Sequence, residues 1–278
     1  MTPQPSQEQL ALLSPMERVA WRVADFVHRR LRGLTELWNS SVMMFVTWMT
    51  VTRRIRVSGI EHIASVDPDR GLCLMANHRS FWDFFIIGCS MVKWGGFRPS
   101  RLMFPVRGSF FYDRPGGMII NAIFSGMAMF PPILRERGRK KWNTYAVERC
   151  VYELRDQKVQ VGIHPEGKRT SSEDPFEVQR GKVGAAAIAL QAPDAQIIPV
   201  FVTGVGNDIV EEFRRNWMEP ENYPVYVAFG EELSLEGLGA ADSPMAMRKA
   251  TTLCMGAITE LAEDCRRRAA LATVPAHT

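Results

Sequence analysis

Hydrophobic positions follow two different spacings along the chain. From Ile55 onward, short apolar runs alternate with segments in which apolar residues recur every three or four positions. This alternation predicts strands at 71–76, 102–106, 159–163, 196–202 and 225–229, a strand approach at 127–134, and helices at 80–91, 117–126, 142–156, 181–191 and 243–268. Strands that alternate with helices are typical of an α/β fold whose mostly parallel central sheet has helices on both faces.

An amphipathic segment precedes this pattern. Ser14-Pro15-Met16-Glu17 predicts a helix start, because serine caps the helix, proline suits its first position and glutamate completes a capping box. This helix is expected to end near Gly33, and a second one is expected from about Thr35 to Val51. Such apolar stripes suit helices packed on a core, and they also suit helices that lie on a membrane surface.

Charge favours the membrane interpretation of this segment. The formal net charge is +4, and residues 1–57 hold eight arginines against four acidic residues, which accounts for the whole surplus. The same segment holds three of the seven tryptophans, Trp21, Trp38 and Trp48. Arginine next to tryptophan favours an anionic lipid surface. We therefore predict an N-terminal amphipathic two-helix membrane platform, with Trp and Phe towards the lipid and Arg towards the headgroups.

The length of 278 residues suits one large α/β domain with an added terminal element. We divide the chain into a flexible tail at 1–13, a membrane-associating two-helix segment at 14–52 and an α/β domain at 53–278. No uninterrupted apolar run reaches the length of about 18 residues that would predict a transmembrane helix. Five scattered cysteines without Cys-x-x-Cys spacing predict reduced thiols rather than disulfides or a zinc site.

The first candidate for chemistry is the segment Asn77-His78-Arg79-Ser80-Phe81-Trp82-Asp83, between a predicted strand and a predicted helix. In open α/β sheets, active residues tend to lie just beyond the carboxyl end of a strand. If Asp83 accepts from one imidazole nitrogen of His78, the other nitrogen is left as a base. Taken alone, the pair is also explained by local capping bonds, with Asp83 on a solvated face.

The second candidate is His164-Pro165-Glu166-Gly167-Lys168-Arg169-Thr170, which follows the strand predicted at 159–163. It places a mostly cationic rim at the same edge of the sheet as His78. Gly167 permits a sharp turn or a close approach to a ligand, and Lys168 and Arg169 suit phosphate. An ordinary charged turn would have the same composition.

Two further signals are weaker. An apolar run ends in Arg135, which is either a phosphate-binding residue or the start of a solvated basic turn. Pro199 lies inside a predicted buried strand, and proline normally restricts a strand to an edge or a bulge. The proline therefore indicates a special site in that strand.

In order and spacing, these four segments resemble the sequence blocks of the glycerol-phosphate/1-acylglycerol-phosphate (lysophosphatidate) O-acyltransferase family. The matching positions are Asn77, His78 and Asp83 in the first block, Arg135 in the second, Pro165, Glu166, Gly167 and Arg169 in the third, and Ile197–Pro199 in the fourth. The N-terminal helix pair also resembles the platform of bacterial members. His164, Lys168 and Thr170 depart from the family's usual residues, and Lys168 adds a cation where the family has a small hydroxyl, so the acceptor is the property left open.

The resemblance implies an O-acyltransferase in which His78 takes a proton from an acceptor hydroxyl and Asp83 holds the imidazole. It implies substrate binding by Arg135, Glu166, Gly167, Lys168 and Arg169, with arginines on the acceptor phosphate and Glu166 on a hydroxyl. The expected partners are an acyl-CoA or acyl-carrier-protein donor, a lysophospholipid acceptor and an anionic membrane surface, at the cytoplasmic face of a membrane. The expected product is phosphatidic acid from 1-acylglycerol-3-phosphate, and no cofactor or metal is expected.

Other functions stay open at this point. The acceptor could be glycerol-3-phosphate, another lysophospholipid or a lyso-aminolipid, and a non-catalytic lipid-binding protein could share the fold, although it would be expected to lack His78 or Asp83. A serine hydrolase would need a Gly-x-Ser-x-Gly elbow, which the sequence does not contain. A pI near 8.9 permits nucleic-acid binding, but no recognised motif accompanies it, so no nucleic-acid partner is expected.

Overall fold

The computed structural model describes residues 1–97 and 102–272. The strands in this part of the chain are β1 (Ile55–Ser58), β2 (Leu72–Ala76), β3 (Leu102–Met103), β4 (Val106–Arg107), β5 (Pro132–Ile133), β6 (Gln160–Ile163), β7 (Gln196–Thr203) and β8 (Val225–Phe229). Six of them form the central sheet in the order β1-β8-β7-β2-β6-β3, and β4 pairs with β5 in a separate two-stranded sheet.

The central sheet is mostly parallel. Strand β2 runs parallel to both β6 and β7, β3 runs parallel to β6, and β1 runs parallel to β8. The pair β7–β8 is the antiparallel one. Because β2, β6 and β7 share one direction, the loops that follow them meet at the same edge of the sheet. The predicted α/β fold with a mostly parallel central sheet is confirmed.

The helices of the described residues are α1 (Gln7–Ala11), α2 (Pro15–Arg30), α3 (Arg32–Trp38), α4 (Met44–Val51), α5 (Glu61–Ala64), α6 (Asp83–Gly95), α7 (Gly108–Phe111), α8 (Pro115–Ser125), α9 (Lys140–Gln157), α10 (Ala186–Gln191), α11 (Ile209–Met218) and α12 (Pro244–Ala272). Short 3-10 turns at Arg137–Arg139 and Val183–Ala185 precede α9 and α10. Of the helices in these ranges, none combines the length and hydrophobicity that a membrane span requires.

Side chains of the central strands alternate between two hydrophobic clusters. Cys73 and Met75 of β2 point to a cluster that includes residues of α2, α9, α10 and α12. Leu72 and Leu74 point to the opposite cluster, which includes residues of α4 and α6. Strand β2 is therefore buried on both faces, which explains why it has no polar residue.

The N-terminal segment differs from the prediction in two respects. A helix, α1, lies where a flexible tail was predicted, because Ser6 and Gln9 form a capping box and Leu13 packs in the core. The predicted start of α2 at Pro15 has the expected capping box between Ser14 and Glu17. Trp21, however, does not face outwards: it is 5% exposed, and its indole N–H donates to the Tyr145 hydroxyl at 3.2 Å.

Buried ion pairs attach this segment to the α/β body. The guanidinium of Arg149 in α9 donates to Asp25 of α2 at 2.6 Å and to Glu153 at 2.9 Å, and all three side chains are buried. At the other end of the segment, buried Arg54 pairs with buried Glu212 of α11. Breaking a buried pair by removing one partner costs about 3–5 kcal/mol, so these contacts hold the N-terminal helices in one position.

The second predicted helix, Thr35 to Val51, is interrupted by a π-helical turn. Residues Asn39–Met43 form this turn between α3 and α4. The Asn39 amide nitrogen donates to the Thr35 carbonyl at 3.0 Å and to the Ser125 carbonyl at 2.8 Å. A π-turn inserts one extra residue into a helix, and here it brings Asn39 against the end of α8.

Two strand predictions are also corrected. The strand predicted at 102–106 is divided into β3 and β4, because Pro105 between them has no N–H to donate to a ladder. Pro199 lies in β7, which has β2 and β8 on its two sides and is not an edge strand. It is tolerated because the β8 ladder begins at the next residue, Val200, and the Pro199 carbonyl still accepts from Gly230 N–H at 2.9 Å.

Candidate active site at the carboxyl ends of the central strands

His78 and Asp83 form a hydrogen-bonded pair just beyond the end of β2. The distance from His78 Nδ1 to Asp83 Oδ2 is 2.9 Å. The same carboxylate accepts from the backbone N–H groups of Arg79 and Ser80 at 2.8 and 3.0 Å, so it caps the turn that opens α6. Asp83 is only 1% exposed, whereas the alternative interpretation placed it on a solvated face. The carboxylate both closes the turn and orients the imidazole.

Burial sets the protonation states of this pair. It lowers the pKa of His78 to about 3, and the charge of Arg169 acts in the same direction. Burial also raises the pKa of Asp83 to about 6, against the opposing effect of His164 and of the backbone N–H donors. At neutral pH the pair is therefore a neutral imidazole beside a carboxylate. With Nδ1 donating to Asp83, Nε2 is the nitrogen that can accept a proton.

Asn77 holds the end of β2 against β7. Its side-chain nitrogen donates to the Val202 carbonyl at 2.9 Å, and its side-chain oxygen accepts from Val202 N–H at 2.7 Å. The amide thus takes the place of one residue of strand pairing at the point where β2 ends. This bond fixes the position from which the His78 loop leaves the sheet.

Glu166 lies beside His78 at the carboxyl edge of the sheet, and its role towards substrate stays a prediction. It was expected to hold an acceptor hydroxyl, yet its side chain is 1% exposed and each oxygen already accepts from a backbone N–H. One oxygen accepts from His78 N–H at 3.1 Å and the other from Gln179 N–H at 3.0 Å. Burial raises the pKa of Glu166 to about 7. Through these two hydrogen bonds, Glu166 connects the His78 loop to the segment that follows β6.

His164, the first residue after β6, is stacked on His78. The two ring centroids are 3.8 Å apart with an interplanar angle of 10°. The Nδ1–H of His164 donates to the Ala76 carbonyl at 3.0 Å, and Phe84 packs on the ring at a centroid distance of 4.3 Å. Burial and the neighbouring His78 lower the pKa of His164 to about 3. The sequence identified His164 only as a departure from the family pattern, since nothing in the spacing shows that the two rings touch.

His78, Asp83 and His164 also bring possible metal ligands within 4.8 Å of one another. A metal ion binds an imidazole nitrogen close to the ring plane and at about 2.0–2.1 Å for zinc. The two imidazole planes are nearly parallel and 3.8 Å apart, so one ion cannot lie near both planes. The arrangement therefore fits two stacked imidazoles better than two ligands of one metal ion. The absence of a metal from the reaction stays a prediction.

Arg135 reaches the site from the loop after β5. Its guanidinium donates to the Gly167 carbonyl, which joins the second and third sequence blocks. Partial burial and the charge of Arg107 lower the pKa of Arg135. Arg107, at the end of β4, is thus a second cation beside Arg135. The two arginines come together through the pairing of β4 with β5, which the sequence does not reveal.

The remaining residues of the third block shape and charge the rim. Gly167 adopts φ of +68°, and its N–H donates to the His164 carbonyl at 3.0 Å, so it forms the turn rather than offering a free N–H to substrate. Arg169 is exposed and donates to the Asn207 side chain at 3.1 Å. Lys168 is exposed. Arg135 contacts Gly167, the charge of Arg169 acts on His78, and the charge of Arg107 acts on Arg135. We call these three exposed arginines, together with exposed Lys168, the cationic rim.

A cavity of about 70 Å³ lies on the α6 side of the sheet, beside this site. Its lining includes Phe84 and Phe85 of α6, Leu74 of β2 and Met43 of the N-terminal segment. The Phe84 ring covers Gly162, where a Cβ atom would lie 2.5 Å from the ring. Phe84 also packs on His164, so this one side chain contacts both the cavity and the histidine pair.

A comparison with protein-family models identifies the family of this chain. A family model described as Acyltransferase matches residues 54–203, more than half of the chain. Among curated proteins none matches. The crystal structure of the 1-acyl-sn-glycerophosphate (LPA) acyltransferase PlsC from Thermotoga maritima is similar to this chain, with 18% sequence identity, a TM-score of 0.47, and coverage of 91% of this chain and 86% of that chain. The chain belongs to the acyltransferase family.

Proposed function

We propose that this acyltransferase moves a fatty acyl group from a thioester donor to the hydroxyl of a lysophospholipid, with 1-acylglycerol-3-phosphate as acceptor and phosphatidic acid as product. The observation that carries the proposal is the neutral His78 imidazole, held by buried Asp83 at the centre of a cationic rim. A base of this kind suits a hydroxyl nucleophile, and the rim suits an acceptor with a phosphate.

In the proposed reaction, His78 Nε2 takes the proton from the acceptor hydroxyl as the oxygen attacks the thioester carbon. The C–O bond forms, the C–S bond breaks, and the leaving thiolate receives the proton from the imidazolium. Asp83 stabilises the imidazolium between these two proton transfers. The acceptor supplies the nucleophile, so the reaction requires no covalent intermediate on the enzyme. General-base assistance of this kind contributes roughly 10²–10⁴ in rate.

The acceptor phosphate is proposed to bind Arg135 with Arg107 and Arg169. Arg135 and Arg107 lie close enough for the charge of Arg107 to lower the pKa of Arg135. Two neighbouring cations repel each other, and a bound dianion would relieve that repulsion. The planar guanidinium fork also matches the geometry of phosphate oxygens.

The acyl chain of the donor is proposed to occupy the cavity behind Phe84. The part of the lining nearest the histidine pair is apolar, with Phe84, Phe85 and Leu74. Phe84 lines this cavity and also packs on His164, so the proposed chain would pass beside the Phe84 ring on its way from the histidine pair. Burial of the chain supplies binding free energy of roughly 0.8 kcal/mol for each methylene group removed from water.

The N-terminal helices are proposed to face an anionic membrane. Trp21 is buried, but α2, α3 and α4 still expose large apolar side chains, among them Val23, Leu34, Phe45 at 61% and Trp48 at 42%. Trp48 contacts Trp217 of α11 at a centroid distance of 6.1 Å, and Phe213 of the same helix is exposed as well. Exposed apolar surface beside arginines is the pattern expected of an interfacial helix.

The test of the catalytic proposal is thiol release from palmitoyl-CoA and oleoyl-CoA with dispersed lysophosphatidic acid. We expect release that depends on the acceptor and that falls to background in His78→Ala. His62→Ala is the matched control, because His62 lies in α5 after the edge strand β1, three strands away from β2. Equal release by wild type and His78→Ala would contradict the proposed base. Wild-type silence with CoA and carrier-protein donors and with all lyso-acceptors would favour a lipid-binding protein.

The membrane proposal has its own test in vesicle flotation. We expect binding to vesicles that contain phosphatidylglycerol, weaker binding to pure phosphatidylcholine, and a decrease as salt screens the arginines. Leu34→Asp and Phe45→Asp place a charge on exposed apolar positions and should release the protein without unfolding it. Unchanged flotation of both variants would place the membrane contact elsewhere.

A further inference from the structure

The loop between β7 and α11, residues 204–208, contacts the site but lies beyond the four sequence blocks. It is attached to the buried pair of Arg54 and Glu212. Arg54 donates to the Gly204 carbonyl at 2.8 Å, and Glu212 accepts from Gly206 N–H at 3.1 Å. Two buried charged side chains thus fix the course of the loop, and whatever the loop carries is held in a defined place.

Asn207 connects this loop to two of the sequence blocks. Its side-chain oxygen accepts from Phe81 N–H at 3.0 Å and from the Arg169 guanidinium at 3.1 Å. Beside it, the Ser80 hydroxyl donates to the Gly206 carbonyl at 2.9 Å. One amide oxygen therefore joins the loop after β7, the turn that opens α6 and the segment that follows β6.

Arg169 depends on this contact for its orientation. Its side chain is exposed, and among residues 1–97 and 102–272 the structure shows no carboxylate paired with its guanidinium. A long exposed side chain without a partner samples several rotamers. Arg169 nevertheless lies close enough to His78 for its charge to add to the effect of burial, which lowers the pKa of that imidazole. The hydrogen bond to Asn207 is thus the described contact that holds this cation beside the base.

We propose that Asn207 is a positioning residue for the acceptor, because its uncharged oxygen orients the Arg169 guanidinium beside His78 and leaves the cation free to pair with the acceptor phosphate. The inference rests on the proposed function, since it takes that phosphate as the ligand of Arg169. A carboxylate at this position would also orient the guanidinium, but it would compete with the phosphate for the same charge.

The test is a double-mutant cycle between Asn207→Leu and Arg169→Gln. Leucine has nearly the shape of asparagine but accepts no hydrogen bond. We expect the KM for dispersed lysophosphatidic acid to rise about three- to tenfold in Asn207→Leu and about tenfold to a hundredfold in Arg169→Gln, with little change in kcat or in the donor KM. The double variant should match Arg169→Gln alone, because Asn207 acts through the cation. Asp208→Asn is the matched control, since Asp208 caps α11 in the same loop and asparagine caps equally well.

Asn207→Asp separates this role from a purely structural one. The aspartate keeps an oxygen for both Phe81 N–H and Arg169, so a structural residue would tolerate the change. We expect the acceptor KM to rise, because the ion pair competes with the phosphate. A wild-type acceptor KM in Asn207→Asp would overturn the inference, as would effects that multiply in the double variant. A fall in kcat at unchanged acceptor KM in Asn207→Leu would also overturn it, since Asn207 would then act through the turn at Phe81.

Binding of inorganic phosphate distinguishes failure of this inference from failure of the proposed function. Calorimetric titration of wild type, the two single variants and the double variant requires no catalysis. If wild type transfers no acyl group to lysophosphatidic acid, weaker phosphate binding in both single variants, with no further loss in the double variant, would still support the role of Asn207. Equal binding by all four proteins, or no binding by wild type, would overturn it.

Discussion

Two regions of this protein bury carboxylates, and they treat them differently. Where α2 docks on α9, Asp25 and Glu153 pair directly with the buried guanidinium of Arg149. At the carboxyl ends of the central strands, Asp83 and Glu166 form no ion pair with a lysine or arginine of the described residues. They accept instead from backbone N–H groups and, for Asp83, from His78. Burial consequently raises the pKa of Asp83 to about 6 and of Glu166 to about 7.

The difference indicates that the first pair of carboxylates stabilises the fold, whereas the second pair serves the active site. A carboxylate that is neutralised by a buried arginine is committed to that contact, and its loss leaves a buried charge without a partner. A carboxylate that is held only by N–H dipoles has no permanent cationic partner. The negative charge of Asp83 can therefore stabilise the imidazolium that forms when His78 gains a proton. Changes in the first region should therefore alter stability, and changes in the second should alter catalysis.

The largest expected effect is that of Asp83→Asn on catalysis. An amide at this position can donate to His78 Nδ1, which moves the ring proton to Nε2 and removes the free base. We expect kcat/KM to fall roughly 10²–10⁴-fold while the protein stays folded, as judged by circular dichroism and urea denaturation. Near wild-type activity in Asp83→Asn would show that orientation by Asp83 is not needed.

Asp25→Asn tests the docking region. We expect the free energy of unfolding to fall by about 3–5 kcal/mol, because buried Arg149 loses one of its two carboxylate partners. Urea denaturation measures this loss, and the activity per folded molecule should stay near wild type. Arg29→Gln is the matched control: Arg29 contacts the same buried Asp25, but the Arg29 side chain is 43% exposed, so we expect a smaller loss of about 0–1 kcal/mol. A loss of activity without a loss of stability in Asp25→Asn would break the distinction between the two regions.

Arg135→Gln addresses the rim of the site. If Arg135 binds the acceptor phosphate, we expect the acceptor KM to rise about tenfold to a hundredfold, since hydrogen bonds to charged groups contribute about 1.5–3 kcal/mol. The KM for the acyl donor and the melting temperature should change little. Arg137→Gln, two residues further along the same exposed loop, is the control. Equal effects of the two substitutions on the acceptor KM would indicate general attraction rather than a defined phosphate site.

The smallest expected effect concerns His164 and pH. Burial and His78 lower the pKa of His164 to about 3, so below pH 6.5 the unfolded chain takes up a proton that the folded chain refuses. Wild type therefore loses stability as pH falls below 6.5, by up to about 1.4 kcal/mol per pH unit from this residue. His164→Phe keeps an aromatic ring on His78 and removes this loss. Urea denaturation at pH 7.5 and 5.5 should show that the variant gains stability relative to wild type on acidification, and an unchanged difference would mean that His164 is protonated in the folded protein.

The sequence alone determined the parts of this protein that depend on local order. Alternating apolar runs predicted the parallel sheet, and the His78–Asp83 spacing across a strand-to-helix turn predicted a pair that the structure joins at 2.9 Å. These features could be predicted from the sequence because each depends on residues only a few positions apart. Arg135 and Glu166 were also identified as candidate site residues, and their roles towards substrate stay predictions. The sequence did not show that Glu166 accepts from the backbone N–H groups of His78 and Gln179.

Only the tertiary structure decided which of these residues meet and which are buried. It stacked His164 on His78, placed Arg107 beside Arg135, turned Trp21 into the core and left Gln160 facing a cavity. Each of these outcomes depends on strand order or helix docking between segments far apart in the chain. Periodicity along the sequence shows which residues share a face of an element, but the charge and environment of a side chain come from the neighbouring element, which only packing supplies.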